Sequence, residues 1–347
     1  MIKELEISGF TCFEDNKFEF TPNINIIIGK NGTGKTHVLK LLASILSSNE
    51  ILAKSSANSK EKFESIIADQ LLAFFKPEQL GRLVRRQQGR TSAKINVNIN
   101  NKELSFTFAN NSRSNVKIDN NVDLKPLNFL YIPPREMFSL YEGFLALYEK
   151  REISFDETYV RLAKALDAPL LKGRRLSEVA ELVKPLEDAL KASVLKENGR
   201  FYLKDTSGKM EAHLVAEGLR KLSSLMYLIL NGELTKNSIL FWDEPESNLN
   251  PKLITVVASF LTKLAENGVQ IFLSTHDYLL THHLSLISEY EKNKDVEMKF
   301  FCINKDSESV MIEDGAVLSS INNNPILDEF AAYYDLEQSF FYNSIKE

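Results

Sequence analysis

The segment Gly29-Lys30-Asn31-Gly32-Thr33-Gly34-Lys35-Thr36 fits the pattern G-x-x-x-x-G-K-[ST] at every constrained position. Residues of these types at this spacing cradle phosphate. The glycines let backbone N–H groups curl round the oxygens, and the N-terminus of a following helix adds partial positive charge. Lys35 is then placed to reach the β- and γ-phosphates, and the Thr36 hydroxyl to bind Mg²⁺. His37 is counted with this nucleotide-binding set by position. It has no chemical context of its own and, like His213, His282 and His283, also has a structural reading.

A second group lies in Ser238-Ile239-Leu240-Phe241-Trp242-Asp243-Glu244. An apolar strand ending in Asp sets the Asp243 carboxylate beside the phosphate loop, where it can hold the metal shell, and Glu244 then orients or deprotonates the attacking water. The third point is Ser274-Thr275-His276, also at a strand end. His276 either contacts the γ-phosphate and reports its loss, or it caps and packs.

These groups need strands and helices to carry them. Residues 2–8, 17–20 and 24–28 predict two short strands leading into a buried one, and 37–46 predicts a helix with an apolar face. Residues 48–125 read as an insertion, with a helix over 60–75 and a hairpin of 93–100 with 102–109 joined through Asn100-Asn101. A further strand at 127–132 stops at Pro133-Pro134. Helix formers dominate from 138 to about 196, too interrupted by Gly173 for a long coiled coil. Buried strands at 237–242 and 269–274 with a helix at 253–265 between them predict a right-handed parallel crossover. Two strands over 297–312 and a terminal helical segment over 324–345 complete the pattern.

With 347 residues, 44% hydrophobic and 26% charged, the chain has the composition of an ordinary soluble domain. A net charge of −5 argues against a mainly nucleic-acid-facing surface, though not against a local basic groove. Arg82, Arg85, Arg86, Arg90 and Lys94, with Lys172, Arg174 and Arg175, are the candidates for such a groove, against a solvated face as the plainer reading. Cys12 and Cys302 lack metal or disulfide spacing, which fits a reduced cytoplasm. The first residues lack a signal-peptide core, and no run approaches the roughly 18 apolar residues that span a bilayer. A cytoplasmic protein that does not enter the membrane is expected.

The phosphate loop, Asp243-Glu244-Pro245-Glu246-Ser247-Asn248-Leu249-Asn250-Pro251 and Thr275-His276 together resemble the ABC ATPase superfamily of P-loop proteins. Within it the opening Ile2-Lys3-Glu4-Leu5-Glu6-Ile7-Ser8-Gly9-Phe10 is similar to the RecF/SMC/OLD-like branch, and the likeness covers nearly the whole chain. It implies an α/β P-loop head with a mixed, mainly parallel sheet, an N-terminal β-layer, a helical lobe over 138–205 and C-terminal strands and helix over 296–347. It also implies ATP and Mg²⁺ as cofactors, slow ATP hydrolysis, and a homodimer or higher homo-oligomer that sandwiches ATP between heads.

The superfamily's signature helix resembles Ala216-Glu217-Gly218-Leu219-Arg220-Lys221. There Gly218 would meet ATP in trans, the usual serine is missing, and Arg220 or Lys221 would supply contacts. Pro133-Pro134-Arg135-Glu136 stands where the family has its glutamine loop. Glu136 would touch metal and water, or Arg135 phosphate, or the turn is structural. Lys35, Glu244 and His276 are the catalytic set that the resemblance implies, and Thr36 and Asp243 hold the metal, with Glu136 as a further candidate.

After residue 297 there is too little chain for a Toprim-type nuclease, and Asp306, Glu308, Glu313 and Asp314 read as a solvated acidic face. What remains is similar to the stand-alone ATPases of bacterial anti-phage systems such as PARIS, Septu and Gabija. These act with a separately encoded nuclease or toxin. The rivals are a RecF-like DNA-repair ATPase and, with less support, a transporter's ATPase subunit.

Overall fold

A computed structural model describes residues 1–55, 59–120, 124–290, 295–305 and 309–344. The antiparallel strands β1 (Ile2–Phe10) and β2 (Phe13–Glu19) precede β3 (Ile24–Ile28), which runs into the phosphate loop. The helices α1 (Lys35–Lys54) and α2 (Lys60–Phe75) follow. β4 (Ser92–Ile99) and β5 (Lys102–Ala109) form a hairpin turned by Asn100 and Asn101 at φ 52° and 64°. Two successive left-handed residues match the twist of paired strands. With β6 (Lys117–Ile118) they complete a five-stranded sheet ordered β2-β1-β4-β5-β6. The segment expected as an insertion thus pairs directly with β1, Ile95 opposite Ile7, and belongs to the N-terminal layer.

Next come β7 (Phe129–Ile132), α3 (Phe144–Glu149), α4 (Glu157–Asp167) and α5 (Arg174–Leu190). The lobe expected to be helical over 138–205 is helical only this far. Lys191 caps α5 in the left-handed region at φ 52°. β8 (Ser193–Glu197), β9 (Arg200–Asp205) and β10 (Gly208–Glu211) then make a small antiparallel sheet. Its first turn is Asn198-Gly199, at φ 51° and 78°, and Val194, Phe201 and Leu203 point inward. An Asn-Gly pair between alternating residues specifies a hairpin whatever the helix propensity around it.

The chain closes with α6 (Glu217–Leu230), β11 (Ile239–Asp243), α7 (Pro251–Glu266), β12 (Gln270–Thr275), α8 (Tyr278–Tyr290), β13 (Met298–Lys305), β14 (Val310–Gly315) and α9 (Pro325–Ser344). A six-stranded sheet ordered β14-β13-β3-β12-β11-β7 forms the centre, parallel except for β14. Both of its faces are covered, which is why its strands read as unbroken apolar runs. Ile24, Ile26, Leu240, Trp242 and Leu273 face a core shared with α4 to α8, whereas Ile27, Phe241 and Phe272 face the core shared with α1, α2 and the N-terminal sheet. In register, Asp243 lies opposite Ser274, and Thr275 opposite Ile28. The three expected chemical groups therefore converge at the carboxyl ends of adjacent parallel strands, where such sheets bind ligands.

Of the expected acidic face, Asp314 pairs with Lys299, and Glu313 accepts from the Asn322 N–H at 2.9 Å. Asp306, Glu308 and Ile345 lie outside the described residues. No helix among the described residues is long and apolar enough to cross a membrane.

Candidate nucleotide-binding site

The phosphate loop is held from within and from below. Gly34 has φ +101°, and a Cβ there would lie 2.5 Å from the Cys12 sulfur and 2.8 Å from the Phe13 ring, so only glycine fits. The Thr33 hydroxyl donates to the Lys30 carbonyl at 2.9 Å. Lys35 is 7% exposed, and its Nζ donates to the carbonyls of Gly29 (2.6 Å) and Lys30 (3.0 Å). Burial pulls its pKa down, opposed by the charges of Glu244, Asp243 and Glu246. The first turn of α1 carries no acid, leaving a 20-residue helix with its positive end open to an anion.

The Thr36 hydroxyl donates to the Asp243 carboxylate, 2.9 and 3.1 Å from its two oxygens. Ser274 also donates to Asp243, and Tyr131 approaches it at 3.5 Å. Asp243 is 1% exposed; burial raises its pKa, and the bonds from Ser274 and Thr36 offset part of the rise. Among the described residues no three His, Cys, Asp or Glu side chains gather to hold a metal alone. A hydroxyl and one buried carboxylate fit Mg²⁺, which keeps waters and takes further ligands from phosphates.

Glu244 stands just past β11 at φ +51°, its N–H bonded to the Ser274 carbonyl at 2.9 Å. A non-glycine residue in this region marks a turn held for a purpose. Its carboxylate is part-exposed, and His276 Nδ1 lies 3.7 Å away. Asp243 can therefore hold metal while Glu244 remains open to water.

Glu246 occupies a place that the motif reading left unassigned. It is 7% exposed and accepts from the Thr275 hydroxyl at 2.7 Å and the His276 N–H at 3.3 Å. Its other oxygen has no hydrogen-bond partner among the described residues, and burial raises its pKa. The side chain fastens the His276 loop to the turn that carries Glu244. Glu246→Ala is expected to lower turnover at least about tenfold while ATP affinity stays within about threefold. Glu246→Gln, whose amide oxygen still accepts both bonds, is expected to recover most of that turnover. Steady-state kinetics check this, and a Gln variant as slow as Ala would sink the assignment.

The signature-like helix behaves differently from expectation. Neither Arg220 nor Lys221 is free to reach a second subunit, because burial turns both inward. Arg220 Nε donates to Glu136 at 2.9 Å, and the Arg220 guanidinium also donates to the Val215 carbonyl at 2.6 Å. Lys221 is 2% exposed, donates to the Glu244 carbonyl and, at 2.5 Å, to the Ser247 hydroxyl, and has its pKa pulled down to about 8 by burial.

Glu136 is likewise engaged by Arg220 and Ser139, so its carboxylate serves an internal ion pair, and Arg135 is exposed. Gly218 has a reason to be glycine within its own chain: a Cβ would lie 2.3 Å from the Asn248 carbonyl oxygen and 2.9 Å from Leu249. Gly218→Ala is expected to destabilise the subunit by about 1–3 kcal/mol through overpacking, seen as a lower denaturant midpoint. An unchanged midpoint would leave Gly218 with a role in trans alone.

His37 packs edge-on against Phe75, and burial, then Lys40, lowers its pKa to about 4, so it is a neutral packing group. It also lines a cavity of about 780 Å³ beside Gly32, bordered by Cys12, Arg82, Arg86 and Lys305. Within the expected basic stretch, Arg82 pairs with Glu78 and Arg85 with Glu14.

Residues 24–281 match the family described as "AAA domain, putative AbiEii toxin, Type IV TA system" (AAA_21), which is more than half of the chain. The chain belongs to this family. As an AAA_21 protein it is similar over 41 residues (42% identity) to the DNA replication and repair protein RecF of Lactococcus lactis subsp. cremoris. Over 42 residues (43% identity) it is similar to the DNA double-strand break repair Rad50 ATPase of Archaeoglobus fulgidus. These matches take in 12% of the AAA_21 chain, and only 11% and 5% of those relatives' lengths. Its fold is similar to that of an SMC head bound to the C-winged helix domain of ScpA, with a TM-score of 0.52 and 14% identity over 92% of this chain and 98% of that one. The fold is thus the α/β P-loop head of the ABC/SMC type.

Proposed function

We propose that this AAA_21 chain binds MgATP between two heads, hydrolyses it slowly, and uses the cycle to control a separately encoded nuclease or toxin. The observation that carries the ATPase reading is the meeting of Thr36, Asp243 and Lys35, three groups from two distant segments, with Glu244 open to water beside them. Thr36 and Asp243 would hold Mg²⁺, which would supply charge neutralisation at the phosphates. Lys35 draws the β- and γ-phosphates onto the loop, Glu244 takes the proton of the attacking water, and His276 faces the γ-phosphate end and responds to its loss. Gly218 and the start of α6 meet the nucleotide of the other copy.

The family description, which names a toxin, supports an effector of that kind. The RecF-like reading keeps one specific observation in its favour, the short RecF match together with Arg82 and Arg86 beside the phosphate loop. A transporter subunit has no comparable support. The deciding experiment purifies tagged Glu244→Gln protein with ATP from its native host. A stoichiometric nuclease or toxin supports the effector reading, and recovery of DNA with repair proteins and no effector replaces it with the RecF-like one.

A further inference from the structure

Helix α9 carries a large apolar surface that the described residues leave uncovered. Its base is fixed: the Asn324 side chain caps the Ile326 N–H at 3.1 Å, Ile326 is buried, and Phe330 stacks on Tyr278 at 4.4 Å. Beyond that, Tyr333, Tyr334, Leu336, Phe340 and Phe341 are between 45% and 70% exposed. At 3.6 residues per turn these five and Phe330 fall within about 160° of the helix circumference together with Glu329 and Glu337, and Asp328, Asp335 and the exposed Tyr342 fall on the opposite side.

We propose that this face is covered by α9 of a second copy, in an antiparallel two-fold pair that forms without nucleotide. Side chains of this size and exposure offer about 700–900 Å² per copy, close to the roughly 800 Å² per partner of a stable interface. The face is also self-complementary. A two-fold axis at the level of residue 335 sets Phe330 against Phe340, Tyr334 against Leu336, and the Tyr333 hydroxyl against the Glu337 carboxylate. The last pair gives a donor to Glu337, one of the two acids on this arc, and an isologous contact repeats each pairing twice.

Charge argues against two other classes of occupant, anionic lipid and nucleic acid. The helix carries Asp328, Glu329, Asp335 and Glu337 with no Lys, Arg or His over Pro325–Ser344, so anionic lipid and nucleic acid are repelled. Tyr278, on which α9 rests, lies two residues beyond His276. The pair therefore tethers two nucleotide sites and raises the effective concentration for head-to-head closure.

The test is light scattering of the full chain without nucleotide, from about 1 to 50 µM, a range that spans ordinary dimer affinities. Wild type and Lys35→Ala are expected at twice the mass of one chain. The double variant Phe340→Glu/Phe341→Glu is expected at one, with its far-ultraviolet circular dichroism unchanged because both side chains are exposed within the subunit. Tyr333→Phe, which folds with the same face, is expected to weaken the dimer about tenfold or more by stripping Glu337 of its donor. Two results overturn the proposal: a wild type that is monomeric throughout the range, whether or not it binds phosphatidylcholine vesicles through α9, or a Phe340→Glu/Phe341→Glu protein that still dimerises.

Discussion

Glu244→Gln should leave ATP bound and lower turnover by about 10²- to 10⁴-fold, the span general acid–base catalysis commonly contributes. The substitution keeps the size of the side chain and does not touch the backbone bonds that hold this residue at φ +51°, from its own N–H to Ser274 and from Lys221 to its carbonyl. What it removes is the basic oxygen and the negative charge 3.7 Å from His276. Because Asp243 and Thr36 are untouched, affinity for MgATP should change by less than about threefold, and the loss should appear in kcat rather than KM. Single-turnover and equilibrium-binding measurements separate the two. Turnover near wild type would exclude Glu244 as the base and direct attention to His276 or Glu246.

The part of this site that could be read from sequence is the part that is local in sequence. The phosphate loop and the Asp243-Glu244 strand end each have their chemistry in consecutive residues, and α2 and the Asn100-Asn101 hairpin announce themselves by period and turn type. Glu246 could not be assigned that way, since its meaning lies in Thr275 and His276, about thirty residues on, brought near by the parallel pairing of β11 with β12. Tyr131 and Ser274 reach Asp243 for the same reason.

Helix α1 runs to Lys54 rather than stopping near residue 46, because buried Ser47, Ser48 and Asn49 interrupt its apolar pattern. Ser48 satisfies its hydroxyl on the Ser44 carbonyl and Ser47 on Gln70, so burial costs little and the helix continues. Arg220 and Lys221 misled for the opposite reason. Charged residues at a helix start look like surface, yet here Glu136, Ser247 and the Glu244 carbonyl give both an internal partner. They tie the start of α6 to the two turns that flank the nucleotide site, so a change at either turn is felt at the surface expected to meet a second head.

Lys35→Ala should lower ATP affinity by about 100- to 1,000-fold, roughly 3–4 kcal/mol. The size of the effect follows from what surrounds the amine. Asp243, Glu244 and Glu246 all act on Lys35 through their charges, so it is the cation that lets a triphosphate approach a cluster of acids. Without it the phosphates meet those acids with only backbone N–H groups and the helix end to offset them. The carbonyls of Gly29 and Lys30 also lose their donor, which loosens the cradle. Lys35→Arg should not restore binding, because a planar guanidinium cannot reproduce a point charge seated between two carbonyls and a phosphate. The measurement is thermal unfolding with rising MgATP. Wild type should gain about 2.7 kcal/mol at a hundredfold excess over its Kd, and Lys35→Ala should gain no more than about 0.4 kcal/mol at that concentration. An equal gain in both proteins would mean that the loop binds phosphate by its backbone alone and that Lys35 only braces it.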